Sequence, residues 1–72
     1  MNGFKIRSYG RTELAQLYNP ELTAYSAYRK LMQWIAHSQR LTDQLRELGY
    51  DPRRRTFTPL EVRAIVEALG EP

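Results

Sequence analysis

Thr23-Ala24-Tyr25-Ser26-Ala27-Tyr28-Arg29-Lys30-Leu31-Met32-Gln33-Trp34-Ile35-Ala36-His37 is the longest uninterrupted helical pattern in the chain, and it holds the only tryptophan. Ala24, Ala27, Tyr28, Leu31, Trp34 and Ile35 recur at helical spacing, which predicts an amphipathic helix with that stripe against the core. The opposite side carries Tyr25, Ser26, Arg29, Lys30 and Gln33 and no acid. A face of that kind suits an anionic surface rich in donors and acceptors. Thr23 reads as the N-cap, because its hydroxyl can accept from an orphan N–H of the first turn.

The preceding segments lead into this helix. Phe4-Lys5-Ile6-Arg7-Ser8 alternates apolar and polar, which predicts a short strand over 4–8 with Phe4 and Ile6 inward. Thr12 can cap a short helix, Glu13 to Tyr18, with Leu14, Ala15, Leu17 and Tyr18 on its buried face. Asn19-Pro20 ends that helix, since the residue before a proline avoids helical geometry. Asn19 to Leu22 is then a turn.

Beyond the long helix, Ser38 caps a third helix, Gln39 to Leu48, lined by Leu41, Leu45 and Leu48. Gly49 supplies the left-handed position that stops it. Tyr50-Asp51-Pro52 is turn chemistry, and a second strand is expected near 54–57. The last helix is the best punctuated. Thr58 at the N-cap, Pro59 at N1 and Glu61 at N3 complete a capping box, and Phe57 can staple onto Val62. Val62, Ile65, Val66 and Leu69 form its core stripe, and Gly70 ends it. The two short strands are expected to pair, because isolated strands leave backbone groups unsatisfied. The expected fold is α+β, mostly α: one domain over 1–72, with four helices and a minimal two-stranded sheet.

A chain of 72 residues buries only about 60% of the surface its unfolded form exposes. It has no cysteine with which to compensate, so one core must hold it. Its 42% apolar and 11% aromatic content argues against disorder. No window matches a membrane span, and MNGFKIRSYG lacks the apolar run of a signal peptide, so a cytoplasmic location is the expectation. The net charge is +3. Residues 1–36 carry five basic and two acidic residues, and residues 37–72 carry six of each. The whole excess therefore lies in the half holding the long helix, as in proteins that bind nucleic acid.

Catalysis is not expected. There is one histidine, His37, no thiol and no GxSxG around any serine. No glycine-rich phosphate loop and no set of metal ligands is present, so no cofactor, metal or small-molecule substrate is implied. His37 reads as a polar residue at a helix end, favourable to the dipole.

The two helices joined by a four-residue turn have the spacing of a helix-turn-helix. In that reading Tyr25, Ser26, Arg29, Lys30 and Gln33 meet base edges of double-stranded DNA: Arg and Lys suit guanine, Gln suits adenine and Ser suits either, while Tyr25 can stack. Arg11 and the run Arg53, Arg54 and Arg55 would hold phosphates, with Lys5 and Arg7 as weaker candidates. The bland alternative is a solvated helix face, and an arginine turn neutralised by Asp51, Glu47 or Glu61. A second function class is a non-enzymatic interaction adaptor using the Tyr25–Met32 face or the last helix against a partner protein.

Arg11-Thr12-Glu13-Leu14-Ala15-Gln16-Leu17-Tyr18 resembles the first helix of excisionase and MerR-type winged helix-turn-helix domains. Arg54-Arg55-Thr56-Phe57-Thr58-Pro59-Leu60-Glu61-Val62 is similar to their closing strand and capped helix. The resemblance implies a groove-entering second helix and an arginine-rich wing. This chain departs from it in a longer second helix and an added helix before the wing. Over nearly its whole length, through IRSYGRTELAQLY, LRELGY and RTFTPLEVRAIVEALGEP, the sequence resembles a family of short bacterial proteins of unknown function. That likeness implies no activity.

Overall fold

The computed structural model describes residues 3–72. The order of elements is β1 (Tyr9–Gly10), α1 (Arg11–Tyr18), α2 (Ala24–Ala36), α3 (Gln39–Glu47), β2 (Thr56–Phe57) and α4 (Pro59–Leu69). The fold is α+β and mostly α: four helices with one two-stranded antiparallel sheet. Tyr9 pairs with Phe57 and Gly10 with Thr56.

Each helix begins where a side chain can satisfy its orphan N–H groups. The Thr23 hydroxyl accepts from Ser26 N–H at 3.2 Å and starts α2. The Ser38 hydroxyl accepts from Leu41 N–H at 3.2 Å and starts α3. At α4 the box is reciprocal: Thr58 Oγ1 accepts from Glu61 N–H at 3.3 Å, and Glu61 Oε1 accepts from Thr58 N–H at 2.9 Å. α3 ends with a paired closure. Tyr50 N–H reaches Leu45 O at 2.9 Å and Gly49 N–H reaches Arg46 O at 3.0 Å, the two bonds of a Schellman motif. Gly49 sits at φ 85° to allow it.

α1 starts earlier than its sequence suggests. Gly10, not Thr12, is the N-cap, and Glu13 Oε1 accepts the Gly10 N–H at 3.0 Å. Glycine has no side chain to return the bond, so this is half of a capping box. The Glu13 carboxyl is held below its usual range by that backbone bond first and by Arg7 second.

The first strand also lies elsewhere. Residues 4–8 do not pair with β2; the ladder forms at Tyr9–Gly10. Tyr9 is the residue that buries here, and its hydroxyl donates to Lys5 O at 2.8 Å, so the segment before it wraps around the ring. Phe4 is half-buried and stacks on Tyr9 with centroids 5.2 Å apart, whereas Ile6 is exposed. β2 is likewise confined to Thr56–Phe57 rather than 54–57.

Phe57, Leu14, Leu31, Leu41, Leu45, Ile65 and Val62 are fully buried and belong to one core to which all four helices contribute. Trp34, expected inside, is half-buried and meets Tyr18 edge-on at 6.2 Å. Ala24, Leu17 and Leu48 are exposed. For these short helices the buried arc is narrower than the apolar stripe. The Tyr18 hydroxyl donates to Gly70 O and ties the chain's C-terminal end to α1; burial, with Glu71 nearby, pushes its pKa up to about 12.

Two stability predictions follow from this geometry. No atom stands within 4 Å of a Cβ built at Gly49, so Gly49→Ala carries only the backbone cost of a left-handed residue. Denaturant titration should show a loss of about 1 kcal/mol, with the m-value unchanged. Glu13 and Asp51 both have depressed carboxyl pKa values, so their contribution is present above the ordinary carboxylate range and is lost as pH falls through the lowered values. Thermal midpoints should fall on acidification below about pH 4, and the fall should be shallower in Glu13→Gln.

Candidate nucleic-acid interface

α2 presents Ser26, Arg29, Lys30 and Gln33 at i, i+3, i+4 and i+7, which places them on one side of the helix. All four are exposed and together line one shallow depression. α2 contains no acidic residue. Tyr25, 69% exposed, stands beside them with the Arg29 guanidinium 5.8 Å from its ring centroid. The five side chains named from sequence as base readers therefore form one surface, cationic at Arg29 and Lys30 and hydrogen-bonding at Ser26 and Gln33.

The phosphate candidates are less uniform. Arg54 turns inward. Its Nη2 donates to both carboxylate oxygens of Glu61, and its Nε donates to Thr56 O at 3.1 Å. Glu61 is 0% exposed, so Arg54 answers a buried charge that would otherwise be very unfavourable. The hydrogen bond that Arg54 donates to Glu61 is the first cause raising the Arg54 pKa above its ordinary value.

Arg53 is paired with Asp51 through Nε at 3.2 Å and Nη2 at 3.1 Å, and its backbone N–H also reaches Asp51 Oδ1 at 2.9 Å. Those bonds, the side-chain one first, hold the Asp51 carboxyl below its usual range. Arg11 donates from Nη1 to Pro52 O at 3.2 Å and lies over the Tyr28 ring at 4.9 Å. Its own N–H reaches Arg55 O at 2.9 Å. Arg55 is exposed and enters none of the ion pairs among the described residues. The run thus splits into one anchor, one surface pair and one open cation.

The 50–55 segment is not a hairpin wing, because β2 pairs with β1 across the chain instead of with a neighbouring strand. The backbone is turned by Arg54 N–H to Asp51 O at 2.9 Å. Arg11 ties this loop to α2 at Tyr28, and Pro52 lies by Met32 and Ala36. By helical geometry Arg29 sits about 60° around the axis from Met32 and Lys30 about 160°. Arg29 therefore borders the loop and Lys30 faces away from it.

His37 is the exposed C-cap of α2. Among the described residues no group of three or more His, Cys, Asp or Glu side chains could hold a metal ion, and no helix is long and apolar enough to cross a membrane. The alternative in which Glu61 neutralises the arginine turn holds for Arg54, while the burial of Glu61 is set by tertiary packing alone. Arg11 and Tyr28 stack as a cation on a ring, which no local pattern signals.

The geometry defines a small helical domain with a basic helix face and a loop pinned beside it. The sequence matches the family described as Domain of unknown function (DUF4248) over residues 5–72, and the chain belongs to that family. No curated protein matches the chain, and no solved structure does.

The Arg54–Glu61 pair separates folding from surface charge. Glu61→Ala should cost about 3 kcal/mol in chemical unfolding, since it strands Arg54 and removes half of the α4 cap. Arg55→Ala, on the surface, should stay within about 0.5 kcal/mol of the parent.

Proposed function

We propose that this protein binds double-stranded DNA as a small regulator or accessory factor without enzymatic activity. α1, the Asn19–Thr23 turn and α2 act as a helix-turn-helix, with α2 in the major groove. The observation that carries the reading is the acid-free α2 face on which Ser26, Arg29, Lys30 and Gln33 share one depression beside Tyr25. Arg29 and Lys30 address guanine edges, Gln33 adenine, and Ser26 either.

Arg55 contacts phosphate, and Arg53 joins it by exchanging Asp51 for a phosphate oxygen. Arg11 keeps the loop beside α2 and lends it charge. Arg54 takes no part, being committed to Glu61. A module of this size covers about 600–1,000 Å² of DNA, so useful affinity calls for a homodimer or a tandem site, in the cytoplasm.

Gel-shift titration against mixed genomic duplexes across salt concentrations tests this. Binding should be strongest at low salt and fall steeply as salt rises. Arg29→Ala should relax sequence preference and cost about 1–3 kcal/mol on the preferred site. Arg55→Ala should weaken all sequences alike and reduce the salt slope by about one. Absence of binding even at low salt would remove the proposal.

A further inference from the structure

The side of α2 that faces the loop ends in an apolar well that DNA contact leaves unused. Met32, Ile35 and Ala36 of α2, Leu45 of α3, and Tyr50 and Pro52 of the loop surround a cavity of about 200 Å³. Ile35 and Leu45 form its buried floor. The polar atoms around it are already committed. Thr42 Oγ1 donates to Ile35 O at 3.1 Å, the Tyr50 hydroxyl is turned to the Met32 sulfur at 4.0 Å, and Pro52 O accepts from Arg11. A base edge or a phosphate finds nothing there to pair with. A hydrocarbon side chain does, since an apolar cavity of about 150 Å³ already accommodates a benzene ring.

Charge identifies the remainder of the ligand. Arg11 stands at the Pro52 lip. Arg29 borders a second depression that continues from the well through Met32 and Ala36. Neither arginine forms an ion pair among the described residues. Asp51, next to Pro52 in the chain, is paired with Arg53. The rim is thus apolar and open to carboxylates.

We propose that this well docks an acidic segment of a partner protein. One leucine or phenylalanine side chain enters between Met32 and Pro52, and neighbouring carboxylates meet Arg11 and Arg29. The occupant follows the helix-in-groove or short-peptide mode, in which one buried anchor supplies affinity and flanking charge supplies specificity. The proposal does not rest on DNA binding, although both surfaces include Arg29.

The test uses the full chain and a synthetic amphipathic helix with Leu and Phe on one face and Glu on the other, compared with its Lys counterpart. The Glu peptide should give saturable amide shifts centred on Met32, Ile35, Ala36 and Leu45, and the Lys peptide should bind at least about tenfold more weakly. Ala36→Arg, at an exposed lip, adds bulk to the mouth but also positive charge. Docking in the well predicts about tenfold weaker binding of the Glu peptide, whereas adhesion by charge alone predicts tighter binding. Arg29→Gln, also at an exposed site, should weaken the Glu peptide without displacing the shifts. The proposal is overturned by absence of saturable shifts, by equal affinity for both peptides, or by undiminished binding to Ala36→Arg. It is overturned too by concentration-dependent dimerisation that Ala36→Arg abolishes, since a second copy would then cover the well.

Discussion

A buried carboxylate sets the terms for the second half of this molecule. Glu61 is fully enclosed, and an unpaired charge in that position would cost far more than a domain of this size can offset. Two groups answer it. The Thr58 N–H closes the cap of α4, and the Arg54 guanidinium brings the opposite charge. Arg54 reaches inward from a turn closed by its own N–H on Asp51 O, and the strand begins only at Thr56. That course delivers Phe57 to the core and Thr56 to Gly10, so a two-residue sheet forms where the helix cap and the ion pair bring its strands together.

The same constraint divides the cations. The turn that sends Arg54 inward leaves Arg53 and Arg55 exposed. Arg53 is answered by Asp51, and Arg11 is drawn over Tyr28 and the Pro52 carbonyl. Among the described residues, α2 carries two cations outside the ion pairs, Arg29 and Lys30, and no acid, while Lys5, Arg11, Arg40, Arg55 and Arg63 are unpaired elsewhere. A net charge of +3 is modest, but its distribution is not even. The apolar well lies between α2, α3 and the loop that carries the paired arginines.

Much of the fold could be read from the sequence because its signals are local. Thr23, Ser38 and Thr58 each cap within three residues of themselves, and Gly49 stops α3 by a bond pattern confined to one turn. The first strand was misread for the complementary reason. Phe4-Lys5-Ile6-Arg7 alternates as a strand should, but which residue pairs is decided by Tyr9 finding a place in the core opposite Phe57. The α2 surface was legible as a helical stripe. The fate of Arg54 was not, because a run of three arginines looks alike from sequence until tertiary packing buries one partner. The well was also invisible, since it needs α2, α3 and the loop at once.

Arg54 is held by the fold through Glu61 and Arg29 is proposed to meet the ligand, and the side-chain Nε–Hε resonances of the two arginines report on that division directly. In a titration of isotope-labelled protein with a duplex, the Arg29 resonance should shift and saturate while that of Arg54 stays at its free position. A shift at Arg54 with Arg29 unmoved would contradict the account.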